Sequence, residues 1–325
     1  MTRGDPLAKS PLYRILVTRG CPNNCSFCGV SAFRRVYEGL GRFYRVRSVE
    51  STIQELEHVR RVHPNIRRVR FDDELFVPSK SWIEEFCREY PGRVGLPFDI
   101  LSSPKVLDEW TIERLARAGL DIVYMGVQTT GEANRERYHR SVHDDDVRAC
   151  TIRLQAHGVL PTLQILIDDP EHSLTEQLEV LDILLDLPRP YDLFIFSLCH
   201  FPGTERTQKL VANGIISSDE VEGVDNKVQR QFIADFSVSR TPTDRLMLAL
   251  YMLANKRVVP RSILRKWARS DHLRRSPDAI VALAQAVNMA KLAVRGVAGL
   301  RSGEISLRDV RNWIGDFSIR RLPPV

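Results

Sequence analysis

Three cysteines in one short loop constrain this chain more than any other feature. Cys21, Cys25 and Cys28 stand at C-x3-C-x2-C spacing directly after the apolar run Leu12 to Thr18. Three thiolates can hold an iron–sulfur cluster that needs four ligands, which leaves one metal position open for chemistry. The proline, asparagines and glycine around the cysteines favour a turn over a continued strand. The sequence therefore predicts a metal-cluster loop at the end of a strand.

Structural zinc and plain buried thiols are the two alternatives for this triplet. A structural zinc site needs a fourth cysteine or histidine at short spacing. The nearest candidates are Cys87, His58 and His63, and none belongs to a C-x2-C or H-x3-H pair. Both alternatives are therefore less favoured than an iron–sulfur cluster.

Length and composition predict a soluble, cytoplasmic protein. The chain has 325 residues, of which 43% are hydrophobic and 27% charged, enough for one large domain with an appendage or for two modest ones. Beyond the triplet, Cys87, Cys150 and Cys199 are scattered, unlike a secreted disulfide framework. The first eleven residues lack the apolar core of a signal peptide. No membrane span is expected, because polar residues interrupt Ala279 to Leu300, the longest apolar stretch, which we predict to be a buried or partner-facing helix.

The net charge of the chain does not by itself identify a binding partner. The formal charge is +6 and the sequence pI is about 9.1. This balance suits an anionic partner such as RNA, but the arginines are spread over several segments, which is more typical of solvated faces. The aromatic signatures of common RNA-binding modules are also absent.

Short apolar runs alternate with helical patterns along the first 200 residues. The predicted strands are Leu12–Thr18, Ile66–Phe71, Val94–Leu101, Ile122–Val127, Thr162–Ile167 and Asp192–Cys199. The predicted helices between them are Val49–Val62 behind the N-cap Ser48, Ser81–Glu89, Asp108–Ala118, Asp144–His157 and Ser173–Leu185. Such alternation predicts an α/β fold with parallel strands joined by crossover helices.

Six such units predict a partial (β/α)6 TIM-like barrel with its active site at the carboxyl ends of the strands. A doubly wound sheet would need a glycine-rich first turn, which is absent. We place the barrel domain at residues 1–215 and a mostly helical region at 216–325. The helices predicted there are Asp244–Asn255, Ser262–Arg269, Pro277–Arg295 and Ser306–Trp313.

Unusual polar motifs fall where the predicted strands end. They are the cysteine loop, Asp72-Asp73-Glu74, Gln128, Asp168-Asp169 and Cys199-His200. Because the carboxyl ends of parallel strands share one rim, these side chains are expected to surround one site.

The motifs carry a resemblance to a known family. Residues 18–28, which read TRGCPNNCSFC, resemble the cluster loop of radical S-adenosylmethionine (radical SAM) enzymes, and the likeness spans about residues 12–205. More narrowly, four segments resemble the branch whose members often carry a cobalamin-binding domain: Arg45-Val46-Arg47-Ser48, Phe71-Asp72-Asp73, Gly126-Val127-Gln128 and Pro202-Gly203-Thr204. The resemblance implies a 4Fe-4S cluster and S-adenosylmethionine as cofactors. In that family, reductive cleavage of S-adenosylmethionine yields methionine and a 5′-deoxyadenosyl radical that abstracts a substrate hydrogen.

The resemblance also assigns residues. Cys21, Cys25 and Cys28 match the cluster ligands, and Phe27 matches the bulky residue near the adenine. Asp72, Asp73 and Glu74 stand where the family has a Gly-Gly-Glu-like segment that meets the ammonium group of S-adenosylmethionine; a solvated acidic turn is the alternative. Gln128 matches a ribose-binding position, Arg140 a residue that pairs with the methionyl carboxylate, and Gln164 a strand residue facing the same region.

Substrate and reaction subclass stay open at this stage. With twenty residues before Cys21 we expect no fused cobalamin domain, so a cobalamin-assisted methyltransferase would need cobalamin from a separate protein. The expected electron donor is a flavodoxin or ferredoxin, and the substrate is a small molecule, a peptide or RNA. A non-catalytic metal-binding or RNA- or protein-binding module is the alternative of another class. Tyr124, Cys199 and His200 are conceivable hydrogen donors or acid–base residues, with structural roles favoured.

Overall fold

The computed structural model describes residues 11–76, 78–129, 132–222 and 236–302. Its strands are β1 (Leu12–Ile15), β2 (Thr18–Arg19), β3 (Arg45–Val46), β4 (Arg68–Phe71), β5 (Phe98–Ser102), β6 (Leu120–Gln128), β7 (Leu160–Ile167) and β8 (Asp192–Ser197). The helices before residue 223 are α1 (Gly29–Val36), α2 (Val49–Val62), α3 (Lys80–Arg93), α4 (Glu109–Ala118), α5 (Glu132–Tyr138), α6 (Asp144–Ala156), α7 (Leu174–Asp186), α8 (Glu205–Ala212) and α9 (Ser218–Glu222). Those after residue 241 are α10 (Pro242–Ala254), α11 (Arg261–Ala268), α12 (Asp271–Arg275) and α13 (Asp278–Ser302).

Six strands form one sheet in the order β1-β4-β5-β6-β7-β8, and every neighbouring pair is parallel. Helices connect successive strands, so the protein has the α/β, TIM-like partial barrel expected from the sequence. The six predicted strands are all present. The first is broken, because its last residues leave the sheet and Thr18–Arg19 pair antiparallel with Arg45–Val46.

Local signals set most helix bounds correctly. The hydroxyl oxygen of Ser48 accepts from the Ser51 N–H at 3.2 Å, and α2 ends at Val62 with His63 as its C-cap residue before Pro64, as predicted. Val94 was wrongly placed at a strand start. It caps α3, which runs past the predicted end through Pro91 to Arg93, and the strand begins only at Phe98.

Strand side chains alternate between two faces of the sheet. Phe71, Ile100, Val123 and Leu163 are fully or almost fully buried on the face that packs against the helices; Phe71, for instance, meets Phe86 of α3 edge-on. Intervening residues point to the opposite, partly exposed face. We call this the inner face and define it by Arg70, Tyr124, Gln164, Phe194 and Phe196.

The helices after residue 241 pack on the barrel. Buried residues of α10, among them Leu250, belong to the same hydrophobic core as the sheet, and α10 packs between α7 and α13. The division at residues 215 and 216 stays a prediction. Three of the predicted C-terminal helices are present, and Ser306–Trp313 lies outside the described residues.

Helix α13 is the one described helix long and apolar enough to cross a membrane by length and composition. This is weak evidence for a span, because core helices of globular proteins meet the same criterion. Ile280, Val281 and Ala284 near its start are buried in the core, and Lys291 pairs with Asp192 of β8 at 2.5 Å. Beyond them the helix carries exposed apolar side chains, so the helix predicted to be buried or partner-facing is buried mainly at its beginning.

Candidate active site

The cysteine loop lies between β2 and α1. Cys25 is buried, Cys21 and Cys28 are half-buried, and Cys28 is the N-cap residue of α1. Gly20 opens the loop with φ of 78°, and a Cβ there would lie 2.6 Å from the carbonyl oxygen of Phe43. Glycine is thus required both by the backbone conformation and by the close approach of residue 43.

A guanidinium group faces this loop. Nη1 of Arg140 lies 3.5 Å from Sγ of Cys25, and Nη2 donates to the carbonyl oxygen of Gly126 at 2.5 Å. Its buried Nε has no hydrogen-bond partner among the described residues. The cation therefore stands between the cysteine loop and the carboxyl end of β6, with donor capacity left over.

The environment of Cys21 and Cys28 favours neutral thiols in the absence of a metal. Burial raises the pKa of Cys21 to about 11, and the charge of Glu74 adds to the rise. Burial also raises the pKa of Cys28, again with a contribution from Glu74. A bound metal centre reverses this balance, because coordination deprotonates a thiol.

The three carboxylates of the acidic turn after β4 have different surroundings. Asp72 forms an ion pair with Arg14. Oδ1 of Asp73 accepts from the backbone N–H of Val17 at 3.0 Å and from the Thr18 hydroxyl at 2.6 Å, while its buried Oδ2 has no partner among the described residues. Glu74 lies at the surface of the turn, and its charge acts on Cys21 and Cys28. Of the three, Glu74 is the carboxylate whose charge contributes to the raised pKa of Cys21 and Cys28.

The carboxyl end of β6 brings Gln128 to Arg140. Gln128 has a left-handed backbone with φ of 67°, rare for a residue other than glycine and typical of functional sites. A Cβ on Gly126 would lie 3.2 Å from Nε2 of Gln128 and 3.5 Å from Nη2 of Arg140. Glycine at 126 therefore leaves the space that both side chains occupy. Gln164 is the register neighbour of Gly126 on β7.

Phe27 lies on the other side of the loop. Its ring meets Tyr138 edge-on, with centroids 5.1 Å apart, and it packs on a small apolar cluster of Tyr138, Leu166 and Leu198. The sequence-predicted site residues thus lie in the cysteine loop and at the carboxyl ends of β4 and β6, except that Gln164 lies within β7 and Asp72 is paired with Arg14.

Of the three candidate hydrogen donors or acid–base residues, Tyr124 and Cys199 have structural contacts. The hydroxyl of Tyr124 accepts from Arg70 on the inner face. The thiol of Cys199 donates to the Ser197 carbonyl at 3.6 Å, and His200 follows β8 at the rim.

Comparison with known proteins identifies the family. A sequence model of the Radical SAM superfamily matches residues 15–187, which is more than half of the chain. The protein is a radical SAM enzyme. Its cofactors are accordingly a 4Fe-4S cluster and S-adenosylmethionine, and enzymes of this superfamily need a reductant.

Three comparisons show what this radical SAM enzyme is similar to. It is 22% identical over 207 residues to an uncharacterized methyltransferase from Pyrococcus horikoshii, covering 63% of this chain and 43% of that protein. It is 22% identical over 241 residues to bacteriochlorophyllide d C-8(2)-methyltransferase from Chlorobaculum tepidum, covering 68% and 49%. Among solved structures, the cobalamin-dependent S-adenosylmethionine radical enzyme OxsB matches with a TM-score of 0.55 and 17% identity, covering 93% of this chain and 58% of that one. The chain spans less than half the length of these two curated relatives, and the OxsB likeness shows the fold alone.

The residues at the site fit the two radical SAM cofactors. Three cysteines in one loop can supply the thiolate donors of a cluster, and Arg140, whose Nε is unpartnered among the described residues, contacts that loop at Cys25. Within the described residues, no three His, Cys, Asp or Glu side chains converge on a single metal ion. A 4Fe-4S cluster does not require such convergence, because each cysteine binds a different iron.

A buried ion-pair network behind the loop was missed by the sequence analysis. Arg206 of α8 and Asp169 after β7 are almost fully buried; Nε of Arg206 donates to Oδ2 of Asp169 at 3.1 Å. The Tyr138 hydroxyl donates to the same carboxylate at 2.6 Å. Burial opposes ionisation of Asp169, but the hydrogen bonds from Arg206 and Tyr138 hold its pKa below the usual value.

Ser26 connects this network to the cysteine loop. Its N–H donates to the Tyr138 carbonyl at 3.2 Å, its hydroxyl donates to the Arg137 carbonyl at 2.6 Å, and its carbonyl accepts from the Arg206 N–H at 2.9 Å. The loop is therefore held from behind by α5 and α8, neither of which the sequence predicted. The Pro202-Gly203-Thr204 motif was the available signal, since Thr204 is the N-cap residue of α8.

Proposed function

We propose that Cys21, Cys25 and Cys28 hold the 4Fe-4S cluster and that the chain cleaves S-adenosylmethionine reductively to abstract a hydrogen atom from its substrate. The contact of Arg140 with Cys25 and Gly126 carries this proposal, because it brings a cation to the cysteine loop at the strand ends. When bound, the cluster and S-adenosylmethionine supply a 5′-deoxyadenosyl radical after one-electron reduction. The protein itself binds and orients the cofactors and the substrate, and shields the radical from solvent.

The charges at the site support an arrangement for the amino-acid end of S-adenosylmethionine. Glu74 is the carboxylate of the acidic turn whose charge acts on Cys21 and Cys28, so we assign it to the ammonium group. Arg140 keeps free donor capacity at the opposite side and pairs with the carboxylate. Asp73 has one carboxylate oxygen fixed by Thr18, which holds β1 and the loop entrance in place. Asp72 contributes less, because it is paired with Arg14.

We assign the residues for the ribose and adenine of S-adenosylmethionine from their side-chain chemistry and position. Gln128 offers a side-chain amide beside Arg140 and can hydrogen-bond a ribose hydroxyl. Phe27 presents an aromatic ring held edge-on by Tyr138, suited to pack on adenine. Gln164 lies one strand further along, next to Gly126, and borders the substrate side.

Glu74→Gln should raise the dissociation constant of S-adenosylmethionine about tenfold, because a charge-assisted hydrogen bond to the ammonium is lost. Asp72→Asn is the matched control in the same turn and should change it less than about twofold, since Asp72 is paired with Arg14. Equilibrium binding to the reconstituted protein measures both. Equal weakening by the two variants would contradict the division of roles within the turn.

Methyl transfer assisted by cobalamin is the second candidate reaction. Two of the curated relatives are named as methyltransferases, and TsrM from Kitasatospora setae, a radical SAM methyltransferase solved with cobalamin, has a TM-score of 0.52 at 15% identity. The match to the anaerobic magnesium-protoporphyrin IX monomethyl ester cyclase of Rubrivivax gelatinosus, 25% identical over 164 residues, supports a cyclisation as an alternative outcome. Methylated product that forms only with added cobalamin would favour the second candidate.

A flavodoxin or ferredoxin is the proposed electron donor.

Anaerobic reconstitution tests the proposed function. The protein is loaded with iron and sulfide, reduced with S-adenosylmethionine present, and assayed for 5′-deoxyadenosine and methionine. We expect a cluster signal in electron paramagnetic resonance and 5′-deoxyadenosine in amounts that depend on the reductant. A protein that takes up zinc and forms no cluster would contradict the proposal and favour a non-catalytic binding module.

A further inference from the structure

We propose that the inner face of the sheet binds a substrate with a planar conjugated body and an anionic group, the anion on Arg70 and the conjugated body on Phe194 and Phe196. The inference rests on the proposed function and adds the substrate class to it. None of these three residues belongs to the cluster or S-adenosylmethionine assignments.

The aromatic part of the inner face is a continuous strip across β6 and β8. Phe194 and Phe196 are stacked with centroids 5.2 Å apart at 26°, and Phe194 meets Tyr124 edge-on at 6.3 Å. Phe194 is 37% exposed although it lies in the middle of a strand. An exposed, stacked aromatic pair on an open face favours binding of another flat ring.

Arg70 lies at the other end of the strip with unused donors. Its guanidinium sits over the Tyr124 ring, 4.4 Å from the centroid, and Nη2 alone bonds to the protein, at the Tyr124 hydroxyl and 3.3 Å from Oδ2 of Asp99. Neither Nε nor Nη1 has a hydrogen-bond partner within the described ranges. Arg68 differs, because Nη1 and Nη2 are both engaged, by Asp99 and Asp121. Stacking holds Arg70 in place and leaves it able to take an anion.

The acidic groups around the strip are already neutralised. Asp99 is fully buried and shared between Arg68 and Arg70. Asp192, at the start of β8, pairs with Lys291 of α13 at 2.5 Å. An incoming anion at Arg70 therefore meets no unpaired carboxylate among these groups.

The strip leads to the cysteine loop. Phe196 packs on the cluster formed by Tyr138, Leu166 and Leu198, and Phe27 packs on the same cluster. A conjugated ring on Phe194 and Phe196 would therefore lie along the path to the proposed radical chemistry. The side chain of Gln164, the register neighbour of Phe194, points to the same inner face and can contact the same ligand.

Binding of model ligands to the full-length protein tests the inference. The probes are 2-naphthoate and 2-naphthyl phosphate, which carry a flat ring and an anion, with 2-naphthylmethanol and cyclohexanecarboxylate as probes lacking one feature each. Ligand-observed NMR titrations, with and without the reconstituted cluster, should show at least about tenfold weaker binding for each single-feature probe. The two anionic probes distinguish a carboxylate substrate from a phosphate ester.

Paired variants locate the site. Arg70→Gln should weaken 2-naphthoate binding about tenfold, and Phe194→Ala about threefold to tenfold. Arg114→Gln is the matched control, because Arg114 also stacks on an aromatic ring, that of Trp110 at 4.0 Å, but on helix α4. Ile152→Ala, at a half-exposed position of α6, is the control for Phe194. Circular dichroism and thermal melting confirm that each variant is folded.

The outcomes separate this inference from the proposed function. If Arg70→Gln and Arg114→Gln bind 2-naphthoate equally, or if the neutral probe binds as tightly as the anions, the substrate class is wrong. Formation of 5′-deoxyadenosine without any probe reports the proposed function independently. A protein that cleaves S-adenosylmethionine but ignores all four probes retains its proposed function and overturns the inference.

Discussion

Replacing Cys25 with alanine should abolish cluster assembly and lower 5′-deoxyadenosine formation below detection. Cys25 is the buried member of the triplet and the one in contact with Arg140. Two remaining thiolates cannot hold three irons of a cluster while leaving the fourth open. The loss should appear in the iron content, in the visible absorption of the reconstituted protein and in the activity.

Cys150→Ala is the matched control. Cys150 is also buried, but it lies on α6 within the helix-side core, so its substitution should leave the iron content and the cleavage of S-adenosylmethionine unchanged. Cys25→Ala protein with a full complement of iron, or Cys150→Ala protein without it, would contradict the assignment of the ligands. Cys21→Ala and Cys28→Ala should match Cys25→Ala.

Replacing Arg206 with methionine should lower the free energy of unfolding by about 3 to 5 kcal/mol, because it leaves Asp169 buried without its cation. Arg206 is about 1% exposed and Asp169 fully buried in this pair. Methionine keeps most of the side-chain volume, so the measured loss reports the charge and not a cavity. Urea unfolding followed by circular dichroism provides the measurement.

Arg265→Met provides the comparison at the surface. Arg265 also binds two carboxylates, Asp182 at 3.1 Å and Asp186, but its side chain is 35% exposed. Solvent screening should limit its effect to about 1 kcal/mol or less. If the two variants lose similar free energies of unfolding, burial of the Arg206–Asp169 pair does not explain its contribution to stability, and the prediction is wrong. Because Ser26 links Arg206 to the cysteine loop, Arg206→Met should also slow cluster reconstitution.

Much of the fold and the cysteine loop followed from local patterns. Runs of buried residues gave six strands, and N-cap residues such as Ser48 and Asp108 set helix starts, because both depend on neighbours in the chain. Among the missed elements are the short helices α1, α5 and α8. Helices of seven or eight residues are stabilised by tertiary contacts more than by propensity. The cytoplasmic location stays a prediction, and the sequence did not specify the substrate.

The sequence by itself determined the cysteine loop, because the spacing of Cys21, Cys25 and Cys28 places three thiols in one turn whatever surrounds them, and the resemblance of that loop implied the cofactors. Only the tertiary structure decided how the other charges are used. Asp72 and Glu74 are two residues apart, yet one is paired with Arg14 from a neighbouring strand and the other acts on the cysteines. Likewise Asp169 meets Arg206 across 37 residues of sequence. Such pairings depend on which strands become neighbours and which face each side chain takes, and the local sequence does not specify either.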